Sequence, residues 1–302
     1  MSIILALLID RWWGEPPAPM HPVVWMGYYL KRIGRDLPNR TPGMALFLGT
    51  LGWLIGAGLV AAAYGLAGLE LAKLPRWLDV ILTALLLKPL FALRLLLTEV
   101  SAVEAALAQG LGPGRARLAH IVSRDTTNLD PDEIRESSLE SLAENLSDSV
   151  VASLFWFALF GLPGAAVYRF ANTADAMWGY RGRWEWAGKF AARADDLLNL
   201  IPARMTAVVL LLLGPNRWPL LCRLPREAAR TTSPNSGWPM GALALTLNVR
   251  LRKPQLYALN AEGLSPSSVD TSMALRRAEV TAWVFAALFA LAVEFLLRAG
   301  YA

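Results

Sequence analysis

Between Arg40 and Glu70 the chain carries no charge, and the run from Gly43 to Leu69 is apolar almost throughout. At about 1.5 Å of rise per residue, such a run crosses a hydrocarbon core roughly 30 Å thick with some tilt. It predicts a transmembrane helix. Other apolar runs are interrupted: Leu78 to Leu97 by Lys88-Pro89 and Arg94, Ser149 to Tyr168 by Gly161-Leu162-Pro163-Gly164, and Met205 to Cys222 by Gly214-Pro215. Val280 to Leu297 carries Glu294 near its end. Gly and Pro inside lipid free backbone groups that protein or cavity water must satisfy. The breaks therefore predict half-helices around a polar pocket, with short amphipathic helices on the membrane surface as the alternative. Ser2 to Ile9 is apolar, lacks a basic flank before it and runs into Asp10-Arg11, which predicts a retained anchoring or packing helix rather than a cleaved leader.

The polar stretches carry helix signals of their own. Pro131 after Asp130, followed by Asp132 and Glu133, predicts a helix start with Asp130 as N-cap and acidic side chains at the positive end of the dipole. Along that helix Leu139, Leu142, Ala143 and Leu146 form an apolar stripe, while Glu140, Glu144 and Asp148 recur on another face. Like charges at that spacing repel unless cations sit nearby. One reading is a solvated face with Arg124 and Arg135 as partners; the other is a Mg²⁺ or nucleotide site, with Asn145 as a further hard-oxygen ligand.

Two more segments repeat the combination. Asn172 and Asp175 stand one helical turn apart, and Asp196 and Asn199 share a face in Arg193-Ala194-Asp195-Asp196-Leu197-Leu198-Asn199, with Pro202 and Arg204 just beyond. Clusters on separate helices can converge on one cation. Ser233-Pro234-Asn235-Ser236-Gly237 reads as a turn whose hydroxyl, amide and backbone could hold an anion, or as a plain loop. Lys88 in its apolar surroundings predicts a phosphate or carboxylate partner, with snorkelling to the interface as the alternative.

Composition sharpens the class. A mean hydropathy of +0.38 and 55% apolar residues exceed a soluble domain, whereas 18% charged residues are too many for a chain buried in lipid throughout. The expectation is an all-α, polytopic integral membrane protein: one membrane-embedded domain over 1–302, with broken or re-entrant helices and polar helical segments at 10–40, 99–148, 169–204 and 223–279. The single Cys222 excludes an intramolecular disulfide, and with only His21 and His120 any metal should be oxygen-ligated. A net charge of +5 is ordinary where Lys and Arg hold cytoplasmic loops, and does not indicate nucleic acid. Arg11, Lys31, Arg32, Arg35 and Arg40 place the loop before the long helix in the cytoplasm. If Ser149 to Tyr168 and Met205 to Cys222 are re-entrant or surface elements, the polar segments then share the cytoplasmic face.

In combination and order these motifs resemble the adenosylcobinamide-phosphate synthases of cobalamin biosynthesis, the CobD/CbiB family. The likeness runs nearly the whole chain: Asp10, Gly14-Glu15-Pro16, His21-Pro22-Val23 and Met26-Gly27, then Lys88 and Arg94, then Ser123-Arg124-Asp125-Thr126. It continues through Glu140, Glu144-Asn145-Leu146-Ser147-Asp148, Tyr168, Asn172-Thr173-Ala174-Asp175-Ala176-Met177, Gly179-Tyr180, Ala192-Arg193-Ala194-Asp195-Asp196, Asn199, Pro202-Ala203-Arg204 and Ser233-Pro234-Asn235-Ser236-Gly237-Trp238-Pro239.

The resemblance implies an inner-membrane, multi-pass ligase with a cytoplasmic active site. It would join a propionate of adenosylcobyric acid to aminopropanol or aminopropanol phosphate, with ATP and Mg²⁺ as cofactors, membrane lipid around it, no nucleic acid, and a homo-oligomer left open. On that likeness the expected catalytic residues are Lys88, Arg124, Asp125, Glu140, Asn172, Arg193 and Asp195. Expected nucleotide or substrate contacts are His21, Asn145, Asn199, Arg204, Ser233 and Asn235, and expected metal ligands are Glu144, Asp148, Asp175 and Asp196. Lys88, Arg124 and Arg193 suit neutralisation of phosphate charge.

Two positions depart from the family pattern. Where relatives read Lys-His-Pro-Ser-Pro-Asn and Trp/Tyr-Pro-Glu, this chain has Arg230-Thr231-Thr232-Ser233-Pro234-Asn235 and Trp238-Pro239-Met240, so an imidazole and a carboxylate are missing. A non-catalytic, AmpE-like regulatory membrane paralogue is therefore the alternative. Retention of the acidic clusters weighs against it. A transporter would explain Lys88 and the broken helices, but no internal repeat is visible.

Overall fold

The structure is a computed structural model describing residues 1–253 and 255–298. Among the described residues twelve α-helices make up most of the chain: α1 Ser2–Trp13, α2 Pro22–Gly34, α3 Pro42–Leu71, α4 Arg76–Leu87, α5 Leu93–Leu107, α6 Leu111–Leu118, α7 Pro131–Leu146, α8 Ala152–Trp178, α9 Lys189–Leu212, α10 Arg217–Ala228, α11 Gly237–Leu247 and α12 Ser268–Arg298. One short antiparallel hairpin pairs β1 Leu251–Lys253 with β2 Tyr257–Leu259, Leu251 opposite Leu259. The all-α membrane class expected from the sequence is the one found. Among the described residues four stretches are long and apolar enough to cross a membrane: Pro42–Leu71, Arg76–Leu107, Pro131–Trp178 and Ser268–Phe295.

The interruptions fall where the sequence places them. Lys88–Leu90 is a single 3₁₀ turn between α4 and α5, since Pro89 cannot donate to the ladder. Inside α8 the backbone leaves helical geometry at Phe160 and Gly161, the latter at φ 63°, a conformation open to glycine at no steric cost. The helix α9 ends at Leu212, before Gly214-Pro215. For Ser149 to Tyr168, the surface-helix alternative meets a different outcome: the segment lies within Pro131–Trp178, which has spanning length and composition. Met205–Cys222 is not among the four.

The chain divides into two compact units. The first contains residues Met1–Ala92, Ala152–Asn199 and those from Phe285 on. Here α3 packs along α8, α2 lies against both, and α1 packs on α4. Ile3, Ala6 and Leu7 of α1 are buried, so the N-terminal segment is the packing helix expected. Trp53 meets Phe170 and Phe190 edge-on at 6.0 and 5.1 Å between ring centroids, and Tyr29 donates to the Gly52 carbonyl at 2.8 Å. The close fit of α3 requires glycine at 56, where a Cβ would strike the rings of Phe170 and Tyr29.

The second unit contains Leu93–Val151 and Leu200–Val284, with α7 at its centre against α5, α6, α11 and β1. Val103, Leu118, Leu129 and Ile134 form one apolar cluster, and Leu139, Leu142, Ala143 and Leu146 are buried as the stripe predicted. Asp130 caps α7 in a full capping box: its carboxylate accepts from Glu133 N at 2.8 Å, and Glu133 accepts from Asp130 N at 2.9 Å. Past Leu146 the chain widens into a π-helical segment, Ser147–Val151, that carries Asp148.

Candidate active-site clusters

In the first unit, Lys88 gathers the front of the chain. Its Nζ lies 3.0 Å from Asp10 Oδ1 and 2.8 Å from Glu15 Oε1. Glu15 Oε2 accepts from His21 Nε2 at 3.0 Å, while His21 Nδ1 accepts from Val23 N at 3.2 Å as the N-cap of α2. Both bonds together fix the neutral tautomer with its proton on Nε2. Gly14, at φ 69°, ends α1 and turns Glu15 toward the lysine. Burial would raise the Glu15 pKa, but the hydrogen bonds from His21 and Lys88 and the charge of Lys88 more than offset it and hold the carboxylate below its usual range. The predicted carboxylate partner of Lys88 is thus double, and the lysine is 3% exposed instead of snorkelling.

Farther along the same unit, α8 and α9 assemble a carboxylate and amide network. Asn172 Nδ2 donates to Asp195 Oδ1 at 3.4 Å, Asn199 Nδ2 donates to Asp195 Oδ2 at 3.1 Å, and the Tyr168 hydroxyl donates to Asn199 Oδ1 at 2.8 Å. The sequence pairs Asn199 with Asp196, three positions back; the side chain instead bonds Asp195, four back and 8% exposed. Asp196 turns toward exposed Arg193 at 3.8 Å. Burial first, then the charge of Asp175, raises the Asp195 pKa to about 7 against the two amide donors. Burial also raises Asp196, opposed by Arg193.

A hard cation fits this donor set on chemical grounds. Asp175, Asp195 and Asp196 repel one another, and a cation would relieve that repulsion while taking oxygen ligands. Among the described residues no group of three or more His, Cys, Asp or Glu side chains is placed to hold a metal ion by itself. Magnesium commonly needs only one or two protein carboxylates, with water or substrate phosphate completing the shell.

In the second unit, Arg124 holds Glu140 Oε2 at 2.6 Å and donates to Ser137 Oγ at 3.0 Å. Glu140 is 2% exposed, so this part of α7 is not a solvated face, and Arg135 instead forms a bidentate pair with Glu104. One turn earlier, fully buried Glu136 accepts from the side chains of Arg250 and Arg252 and from Arg252 N at 2.9 Å. These bonds pin the hairpin against α7 and bring Tyr257 to Glu140 and Glu144. Burial and those two carboxylates raise the Tyr257 pKa. The same hydroxyl lies 4.0 Å from the sulfur of Met240, which is buried.

Asn145 turns along its own helix, donating to Ser141 O at 3.0 Å and accepting from Ser149 Oγ at 3.3 Å. Asp125 caps a local turn by accepting from the Thr127 N–H and hydroxyl, which lower its pKa. Arg204 donates to Asn235 Oδ1 at 3.1 Å and stacks over Trp238 at 4.7 Å. Ser233 Oγ accepts from the N–H groups of Asn235 and Ser236, both at 3.2 Å, so two of the donors expected to hold an anion already have a partner. Thr231 closes the same loop through the Ala228 and Ser233 carbonyls, each at 3.1 Å.

Sequence reasoning left Asp10, Glu15, Glu136 and Tyr257 out of the site. Asp10 had a readable signal, a lone carboxylate closing an apolar run; Tyr257, in a short strand after a loop, had none.

Comparisons with known proteins agree with the motifs. A family model described as CobD/Cbib protein matches residues 3–293. The chain is 38% identical over 301 residues to the "Probable cobalamin biosynthesis protein CobD" of Pyrococcus furiosus, covering 99% of each. It is 41% identical over 295 residues to the protein of the same name from Thermococcus kodakarensis, covering 97% of this chain and 96% of the relative. With the "Cobalamin biosynthesis protein CobD" of Chromobacterium violaceum it shares 39% over 312 residues, covering 99% and 97%. No solved structure matches.

Proposed function

The chain belongs to the CobD/Cbib family, and from that premise we propose that it forms the amide bond joining adenosylcobyric acid to aminopropanol or its phosphate, using ATP and Mg²⁺. The observation that carries this reading is the Asp195 network. An ammonium cannot attack an acyl carbon until it loses a proton, and a carboxylate whose pKa lies near 7 is a base matched to neutral pH. Asn172 and Asn199 hold both oxygens of that carboxylate in place, and Tyr168 holds Asn199.

A carboxylate becomes an acyl donor once an oxygen is converted to a leaving group, and Mg²⁺ when bound supplies charge neutralisation for that phosphoryl transfer. Asp175 and Asp196 are the residues of the first unit that would hold it, and Arg193 would meet phosphate oxygens beside them. In the second unit Glu144 and Asp148 remain the proposed acidic contacts and Arg124 a phosphate partner. Glu140 and Asn145 on α7 and Arg204 on α9, with Asp125, Ser233 and Asn235 in the loops, shape the surroundings of those groups. Lys88 and His21 act by fixing the Asp10–Glu15 segment. The proposed setting is the inner membrane, with the reaction on the cytoplasmic side.

Purified protein in nanodiscs, supplied with adenosylcobyric acid, ATP, Mg²⁺ and either amine, tests the reading by mass spectrometry of the corrinoid. Amide product should appear with one of the two amines, and Asp195→Asn should slow its formation by about 10²–10⁴-fold, the usual contribution of a general base. No product with either amine, at full occupancy of corrinoid, overturns it.

A further inference from the structure

The first unit also contains a cavity of about 800 Å³ that the reaction above does not use. Its walls come from α2, α3 and α4, and its lining is mostly apolar, with Glu15 and Lys88 at the edge where α1 ends. Water would find few partners over most of that surface. The walls α3 and α4 lie in stretches of membrane-spanning length, and lining residues Leu59 and Leu85 are 59% and 41% exposed. In a bilayer, an opening at those side chains faces hydrocarbon instead of water.

A void open to hydrocarbon fills with hydrocarbon, because leaving it empty forfeits dispersion contacts on every wall. The remaining rim is aromatic: Trp13 and Trp25 line the cavity and are 77% and 54% exposed, and the Trp25 indole is held by the Pro19 carbonyl at 2.9 Å. Exposed tryptophans of this kind mark the headgroup level of a membrane. We propose that this cavity is a lipid site that takes one hydrocarbon chain of a bilayer phospholipid, its tail along α3 and α4 and its headgroup at Trp13 and Trp25. The chain covers the apolar side of the Lys88 cluster and keeps water from it.

The test uses full-length protein in phosphatidylglycerol and phosphatidylethanolamine vesicles doped with a phospholipid bearing a diazirine on its acyl chain. After illumination, labelled peptides are mapped by mass spectrometry. Labelling should be severalfold higher at Leu59, Tyr64 and Leu85 than at Leu51 and Leu54, which are exposed on α3 but outside the cavity. Filling the space with Ala63→Trp and Ala67→Trp should bring the first group down to the level of the second. Even labelling across α3 in the unaltered protein overturns the proposal, whether or not the filled variant folds. Loss of the enrichment on adding adenosylcobyric acid also overturns it, since the cavity would then belong to substrate.

Discussion

Lys88 Nζ sits 2.8 Å from Glu15 Oε1, and this contact ties the turn after α1 to the 3₁₀ break after α4. A buried lysine between two carboxylates is weak evidence for net stability, but removing one partner is costly because the others keep their charge without compensation. Lys88→Met should therefore destabilise the protein by about 3–5 kcal/mol. Lys88→Arg should cost less, being limited by fit. Thermal unfolding in one detergent, followed by tryptophan fluorescence, reads both; equal midpoints for Lys88→Met and the parent would show that the cluster carries no strain-free charge balance to lose.

Asp195 predicts a pH signature with a defined sign. Its folded-state pKa, about 7, lies above the ordinary aspartate value, so its contribution to stability is complete at low pH and is lost as pH rises through about 7. Asp195→Asn, which mimics the protonated form, should be more stable than the parent at pH 8, and the gap should close toward pH 4. Added Mg²⁺ should raise the parent's midpoint at pH 8, and Asp175→Asn combined with Asp196→Asn should remove that rise. A variant less stable than the parent at pH 8 without Mg²⁺ contradicts the assigned shift.

Met240, where the family resemblance leads us to expect a carboxylate, is buried with its sulfur 4.0 Å from the Tyr257 hydroxyl. A glutamate there would bring another acid toward Glu140. Its pKa would be raised, so Met240→Glu should cost little below pH 4 and about 1–3 kcal/mol at pH 8, whereas Met240→Leu should stay near the parent. Denaturation curves at the two pH values decide it. A constant penalty at both would point to shape, not charge.

From the loop charges we expect Thr127 on the cytoplasmic side and Lys73 outside. Cys222 is exposed and must first be replaced by Ser. In intact cells an impermeant maleimide should then label Lys73→Cys, with Thr127→Cys labelled only after permeabilisation. The reverse pattern inverts the topology.

Local chemistry is legible in this sequence because it depends on neighbours a few positions away. The charge-free run of α3, the Asp130 capping box and the breaks at Lys88-Pro89 and Gly161 follow from hydropathy, capping and the backbone limits of Pro and Gly, and the structure has each of them. The acidic segments were visible for the same reason. Which carboxylate is buried was not: at 3.6 residues per turn, positions three and four back are equally near Asn199, and only the packing of α9 against α8 selects Asp195 and turns Asp196 outward. Long-range partners were beyond reach too. Glu136 meets Arg252 across 116 positions, and Tyr257 reaches Glu140 only because that contact holds the hairpin. The sequence by itself determined the membrane class, the helix ends and the stock of functional groups; tertiary structure decided which charges are buried together, because burial and pairing depend on contacts that no local pattern encodes.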